Sequence, residues 1–272
     1  MALPAYARAM TAPHRPRWLV VGTLGIAQIL AWGMSYYLIA VFAKPIDADT
    51  GWGLTWVVGG ISVGFLVSGL VSPRIGQLID RFGGRPILTA SAPLLALGLV
   101  VLAMAPNIPV YVAGWCILGL AMGAGLYDPA FATLGRIYGE QARSAITLLT
   151  LYGGFASTVC WPLSAFMIER IGWRGACLAY AAIALFVMLP LYAFFLPRET
   201  ETPPAKATAK GGTIAPRMRL AFWLVAVNLT GASILMTVVS IHMLTLLQAR
   251  GVELAVAVAL GALIGPAQVG AR

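Results

Sequence analysis

Residues Gly76–Leu88 read GQLIDRFGGRPIL, a short charged turn between two long apolar stretches. The stretch before the turn covers residues 54–79, and the stretch after it covers residues 86–105. Crossing about 30 Å of hydrocarbon takes about 20 apolar residues in a helix, so each stretch is long enough to span a bilayer. A charged turn in this position predicts a helical hairpin that crosses a membrane twice.

The rest of the chain continues this pattern. Of its 272 residues, 60% are hydrophobic and only 10% are charged, and the mean hydropathy is +0.87. Soluble domains carry about 25% charged residues, so this composition does not suit a water-covered surface. Six further apolar segments predict six more helices, at residues 18–43, 110–138, 144–169, 174–196, 219–248 and 254–270. The sequence therefore predicts an all-α, polytopic helix bundle in a lipid bilayer.

The basic residues are distributed between alternate loops. The net charge is +9, but these residues separate apolar segments and form no basic patch of the kind that binds nucleic acid. If the N-terminus is cytoplasmic, thirteen basic residues lie in inside loops and four in outside loops. Cytoplasmic loops of membrane proteins carry an excess of Lys and Arg. We therefore expect a multi-pass protein of the cell (inner) membrane with a cytoplasmic N-terminus.

Composition divides the chain into four parts. These are a cytoplasmic basic arm (1–17), a six-helix bundle (18–196), a Pro- and Thr-rich cytoplasmic linker (197–218) and the start of a second bundle (219–272). Residues Trp18–Ser35 align without a gap on residues Trp223–Ser240, as expected if the second bundle repeats the first. Because this second copy stops after two helices, we expect the chain to be a fragment that does not transport by itself.

The turn at Gly76–Leu88 resembles the signature loop of the major facilitator superfamily of transporters. Six of its residues fit that pattern: Gly76, Asp80, Arg81, Gly83, Arg85 and Leu88. The sequence departs from the pattern at Gly84, where the family usually has a basic residue. The resemblance implies the N-terminal six-helix half of such a transporter, followed by about two helices of its second half. The segments WGMSYYLIAVF and DTGWGLTWV look like those of bacterial relatives of monocarboxylate and oxalate–formate carriers.

The resemblance implies secondary active transport of a small solute by alternating access, with an organic anion such as a monocarboxylate as one candidate and a proton as a candidate coupling ion. Two alternatives stay open: a drug or metabolite exporter of the same superfamily, and a membrane receptor or scaffold that does not transport. The sequence makes drug export the less favoured alternative, because Trp115 occupies a position at which such exporters usually carry an Arg. The sequence has no nucleophile elbow, phosphate loop or zinc spacing, so we expect neither an enzyme nor a cofactor.

The charged turn is a candidate conformational latch, meaning a set of contacts that holds one state of a rocking transporter closed. Asp80 is placed to meet a helix N-terminus or an Arg, while Gly83 and Gly84 permit a tight reversal and Gly76 permits close helix approach. An ordinary basic turn is the alternative interpretation. The candidate latch residues are Gly76, Asp80, Arg81, Gly83, Arg85 and Asp128.

Asp128 is the only carboxylate deep inside an apolar segment. A charge there costs about 2.5–3.5 kcal/mol on insertion scales, so such residues usually have a function. Asp128 is expected either to pair with Arg81 or Arg85 as part of the latch or to act as a protonatable coupling site. The sequence favours the pair.

Polar and aromatic side chains of several helices predict a substrate site near the middle of the membrane. Gln28, Trp32 and Tyr36 recur at every fourth position and therefore share one helix face. Alternatively, the Ser and Thr residues bond their own helices and the Trp and Tyr residues mark the membrane interfaces. The candidate substrate-binding residues are Gln28, Trp32, Tyr36, Tyr37, Tyr127, Thr150, Ser157, Trp161 and Asn228.

Overall fold

The computed structural model of the protein describes residues 15–197 and 216–270, and all regular structure within them is helical. The predicted basic arm (1–17) and linker (197–218) lie, apart from their edges, outside the described residues. Five helical stretches of the described chain are long and apolar enough to cross a membrane. These findings confirm the predicted all-α fold class of a polytopic membrane bundle.

The first pass across the bundle is made of two helices, α1 (Arg17–Gly33) and α2 (Leu38–Thr50). Between them the Tyr37 amide donates to the Trp32 carbonyl at 2.9 Å, one residue further back than in an α-helix. The second pass is α3 (Leu54–Phe82), and the third is α4 (Gly84–Ala103). The sequence predicted the first pass as one segment, whereas tertiary packing interrupts it near its centre.

The next helical stretch has 88 residues and would measure about 130 Å if it were straight. It instead reverses at Gly139 and Gly172, whose φ angles of 54° and 69° are readily adopted by glycine. The reversals divide it into the fourth, fifth and sixth passes. Its helices are α5 (Ile108–Gly125), α6 (Tyr127–Tyr138), α7 (Ala142–Gly154) and α8 (Ala156–Ile183), the last continuing through two π-helical turns at 184–188 and 191–195.

The six passes pack through small residues. Helix α5 lies against both α3 and α4. A Cβ atom built on Gly119 of α5 would lie 2.5 Å from the Gly64 carbonyl oxygen and 2.8 Å from the Val67 Cβ atom of α3. Small residues let helix backbones approach closely, which is the main source of packing energy between helices in lipid. Glycine at position 119 therefore sets the distance between the second and fourth passes.

Three passes meet at one ionic contact, at the face of the bundle opposite the charged turn. Arg174 of α8 lies 3.3 Å from the Asp49 carboxylate of α2 and donates to the carbonyls of Ala103 and Ala105 at 2.8 and 3.2 Å. The indole of Trp173 donates to the same Asp49 carboxylate at 3.0 Å. This contact joins the ends of the first, third and sixth passes.

The last described helices are α9 (Pro216–Ala249), α10 (Leu254–Ala262) and α11 (Ile264–Gly270). Helices α10 and α11 pack on α8, where the Thr158 hydroxyl donates to the Ala262 carbonyl at 2.6 Å. Helix α9 contacts α2, and most of its described side chains are exposed. Residues Arg219–Ala249 are long and apolar enough to cross a membrane, whereas residues Leu254–Ala267 form a shorter apolar helix.

Candidate functional site

A break in the fourth pass shapes the candidate site. Helix α5 ends at Gly125, Leu126 is extended with φ −83° and ψ −155°, and α6 begins at Tyr127. Pro129 has no N–H, so it cannot donate to the Gly125 carbonyl four residues earlier. The side-chain amide of Gln28 donates to that carbonyl instead, at 2.8 Å, and to the Leu126 carbonyl at 3.3 Å. The first pass thereby satisfies the backbone that Pro129 leaves open.

Gln28 is 0% exposed, and its orientation is held by a second hydrogen bond. The indole of Trp32 donates to the Gln28 side-chain oxygen at 3.0 Å. Both ends of the Gln28 amide are therefore occupied by protein groups. The structure gives Gln28 a positioning role at the break and does not place it among the residues that line the cavity beside it.

A cavity of about 270 Å³ opens beside this break. Four aromatic rings line it, and the ring of Trp32 lies 4.8 Å from that of Tyr127 and 5.2 Å from that of Tyr36. The fourth ring, Phe65, lies 5.7 Å from Tyr36. The lining residues are Trp32, Tyr36, Phe65, Ser68, Ser72, Met122, Gly123, Leu126, Tyr127, Asp128 and Pro129. Three of the predicted substrate-binding residues thus meet on one wall.

Asp128 lies in the first turn of α6 and is exposed to this cavity. Its carboxylate makes no ion pair within residues 15–197 and 216–270. The Arg85 guanidinium donates to the Ala193 carbonyl of the sixth pass, and the Arg81 guanidinium lies 5.0 Å from the centre of the Phe82 ring. The structure therefore does not bring Asp128 to either Arg of the predicted pair and instead places it among the residues that line the cavity.

The remaining predicted substrate residues do not line this cavity, although the ring of Tyr37 lies 4.9 Å from that of Tyr36. Trp161 is buried, and its indole donates to the Tyr37 carbonyl at 3.2 Å, which holds both residues between the first and fifth passes. The Thr150 hydroxyl donates to the Thr147 carbonyl of its own helix at 2.8 Å. Ser157 is buried, and its hydroxyl has no hydrogen-bond partner in the described part of the chain. Asn228 is exposed on α9 and does not line the cavity.

The charged turn contacts the C-terminal end of the fourth pass. Arg136 of α6 lies 4.0 Å from the Asp80 carboxylate and donates to the Asp80 backbone carbonyl at 3.0 Å. Gly83 has a φ of 83°, as the predicted tight reversal requires. A Cβ atom at Gly84 would overlap the Thr133 hydroxyl, so a basic side chain at that position would have to displace Thr133. No described atom lies within 4 Å of a Cβ built on Gly76, so the expected close helix approach is not seen within this chain.

Sequence reasoning missed several residues of both sites. It counted Arg136 only as a basic loop residue and did not connect it with Asp80. It also missed Phe65, Ser68 and Ser72, although positions 65, 68 and 72 share one face of a helix and this spacing could have indicated a common wall. Among the described residues, no group of three or more His, Cys, Asp or Glu side chains is placed to hold a metal ion.

Comparison with known proteins assigns this sequence to a family. The sequence model of the Major Facilitator Superfamily matches residues 18–271. Human "Monocarboxylate transporter 11" is 31% identical over 150 residues, covering 52% of this chain and 31% of that protein. The "Triacylglyceride transporter" of Mycolicibacterium hassiacum is 26% identical over 243 residues, covering 85% of this chain and 44% of that protein. The chain thus spans less than half the length of these curated relatives.

A solved structure shows the same fold. The crystal structure of a D-xylose-proton symporter superposes with a TM-score of 0.62 at 14% sequence identity. The superposition covers 93% of this chain and 66% of that protein. At this identity, the similarity describes the arrangement of the helices.

Proposed function

Because this chain belongs to the Major Facilitator Superfamily, we propose that the protein performs secondary active transport of a small organic solute by alternating access. The observation that carries the proposal is the cavity beside the broken fourth pass. Transporters commonly bind their substrates near the bilayer midplane, at helices that are interrupted there. Both the first and the fourth pass of this chain are interrupted, and residues from both interruptions line the cavity.

The contact between Asp80 and Arg136 supports alternating access as the mechanism. The Asp80 side chain is 79% exposed, so the ion pair contributes little to the stability of the fold. A weak contact at one face of the membrane is suited to forming in one state and opening in another. We propose that this contact biases the equilibrium between inward-open and outward-open states, and that the charged turn faces the cytoplasm.

The names of the relatives do not agree on one solute. They refer to monocarboxylates and to triacylglycerides, which differ in both size and charge. We therefore propose a small organic solute as cargo and a proton as the candidate coupling ion. A monocarboxylate, the anion considered from the sequence, would have to approach the exposed Asp128 carboxylate, so the cavity gives that choice no support.

Uptake by energised membrane vesicles tests the proposal. Vesicles from cells that express the full-length gene encoding this chain, and vesicles from cells that do not, are compared for accumulation of labelled amines, sugars and carboxylates, with and without a protonophore. We expect at least one solute to accumulate only with the protein present, and to be lost when the gradient is dissipated. Saturable binding without accumulation in vesicles of either orientation would instead support a receptor or scaffold.

A further inference from the structure

We propose that the cavity beside the broken fourth pass selects a solute that carries a positive charge, such as a protonated or quaternary amine. The Asp128 carboxylate supplies the opposing charge, and the rings of Trp32, Tyr36 and Tyr127 supply a polarisable wall. The inference rests on the proposed function, because it takes this cavity to be the transport site. Its test measures binding, so the two proposals can fail separately.

The charges of the lining residues favour a solute with a positive charge. Asp128 is exposed to the cavity and forms no ion pair with any described residue. None of the described lining residues is Lys, Arg or His. An exposed carboxylate without a counter-ion attracts cations and repels anions. The other polar residues of the lining carry no formal charge; the Ser72 hydroxyl donates to the Ser68 carbonyl of its own helix, and the Tyr36 hydroxyl donates to Thr237 at 3.2 Å. Among the described lining residues Asp128 is thus the one charged side chain, so this wall of the cavity presents a negative charge to a solute.

The aromatic rings of the lining also favour a solute with a positive charge. The ring of Trp32 lies 4.8 Å from that of Tyr127 and 5.2 Å from that of Tyr36, and all three residues line the same cavity as Asp128. The face of an aromatic ring attracts a cation that lies within about 6 Å, most strongly for Trp, and gains more where water is excluded. Rings and a carboxylate together favour an alkylammonium group, because its methyl or methylene surface contacts the rings while its charge faces Asp128.

The helix break fixes this arrangement. Gln28 joins the indole of Trp32 to the carbonyls of Gly125 and Leu126, directly before Tyr127 and Asp128. The buried amide of Gln28 thus fixes the position of the Trp32 ring relative to the backbone that leads into Asp128. Trp is the ring that attracts a cation most strongly. An anionic solute would meet a like charge in the same place, and a neutral solute would leave the carboxylate without a partner.

Ligand binding to the purified protein tests the inference. Quenching of tryptophan fluorescence or calorimetry gives affinities for choline, for its neutral carbon isostere 3,3-dimethylbutan-1-ol and for lactate. Choline and the isostere share size and shape, so their difference measures the charge. We expect choline to bind at least about tenfold more tightly than the isostere, the ratio produced by a cation–π contact in a desolvated site. Lactate is expected to bind most weakly.

Two variants test whether Asp128 causes the preference for choline over its isostere. Asp128→Asn keeps the shape of the side chain and removes its charge, so choline and the isostere should then bind within about twofold of each other. Glu140→Gln removes one negative charge from an exposed position outside this cavity and should keep the preference of the unmodified protein.

Equal affinities for choline and its isostere in the unmodified protein would overturn the inference, and this comparison holds even if Asp128→Asn does not fold. A preference that persists in a folded Asp128→Asn protein would also overturn it. Tighter binding of lactate or of the isostere than of choline would overturn it as well. Vesicle uptake decides the transport proposal independently of all three results.

Discussion

The buried amide of Gln28 joins the first pass to the fourth. Its nitrogen donates to the carbonyl that Pro129 leaves unpaired, and its oxygen accepts from Trp32. A buried carbonyl without a donor costs more than a typical hydrogen bond contributes, because the group has lost its hydration. The position of the break in the fourth pass therefore depends on one residue of the first pass.

Gln28→Leu should destabilise the protein by about 1–3 kcal/mol, because it leaves the Gly125 carbonyl buried without its donor. The measurement is the midpoint of thermal or detergent-induced unfolding of the purified protein. Gln77→Leu on the exposed side of α3 makes the same chemical change and should stay within about 0.5 kcal/mol. Equal effects of the two substitutions would mean that the Gln28 amide does not support the break.

Asp80→Asn should slow transport by about two- to fivefold, the shift expected from losing a surface ion pair worth about 0.5–1 kcal/mol. The amount of protein in the membrane should stay unchanged, because Arg136 keeps its hydrogen bond to the Asp80 backbone carbonyl. Initial uptake rates, normalised to the protein in the membrane, provide the measurement. Adding Arg136→Gln to Asp80→Asn should slow transport little further. Unchanged uptake by Asp80→Asn would contradict the latch.

At the scale of the elements, the bundle depends on how closely α5 approaches α3. Gly119 and Gly64 let the two backbones meet, and the ring of Trp115 fills the space beside Gly60. The same α5 ends at the break, so its position relative to α3 also determines the width of the cavity. The cavity residues Phe65, Ser68 and Ser72 all lie on α3.

Gly119→Ala should destabilise the protein by about 1–3 kcal/mol, because the added methyl group forces α5 away from the Gly64 carbonyl. Gly69→Ala is the matched control on α3, where no atom lies within 4 Å of the added Cβ. That control should be neutral or should stabilise by about 0.5–1 kcal/mol, since Ala is the better helix former. Unfolding midpoints of both variants test the difference, and a stable Gly119→Ala would show that the contact is not tight.

At the scale of the whole molecule, two glycine reversals allow one 88-residue helical stretch to make three passes. The ends of these passes alternate between two faces. The Arg174 contact with Asp49 marks one face, and the Arg136 contact with Asp80 marks the other. The loop charges predict that the second face is cytoplasmic.

Cysteine labelling tests this orientation. In a background with the three native cysteines replaced, Pro106→Cys and Glu140→Cys each introduce one thiol at an exposed loop position. We expect a membrane-impermeant maleimide to label position 106 in intact cells and position 140 only after permeabilisation. The reverse pattern would place the N-terminus outside and overturn the charge-based orientation.

The family, the helical class and the approximate limits of the passes could be predicted from the sequence alone. Apolar length and loop charge are local properties, and a helix in lipid satisfies its backbone groups within its own segment. The reversal at the charged turn could also be predicted, because it depends on the positive φ angle of Gly83 itself. None of these features requires knowledge of which helices are neighbours.

The geometry of both candidate sites was decided only by the tertiary structure. Gln28 meets Gly125 across 97 positions of sequence, and Arg136 meets Asp80 across 56. Such contacts follow from helix packing, which periodicity within one segment does not describe. For the same reason Asp128, expected beside an arginine, lines an aromatic cavity: the helix break that precedes it is supported by a side chain from another pass.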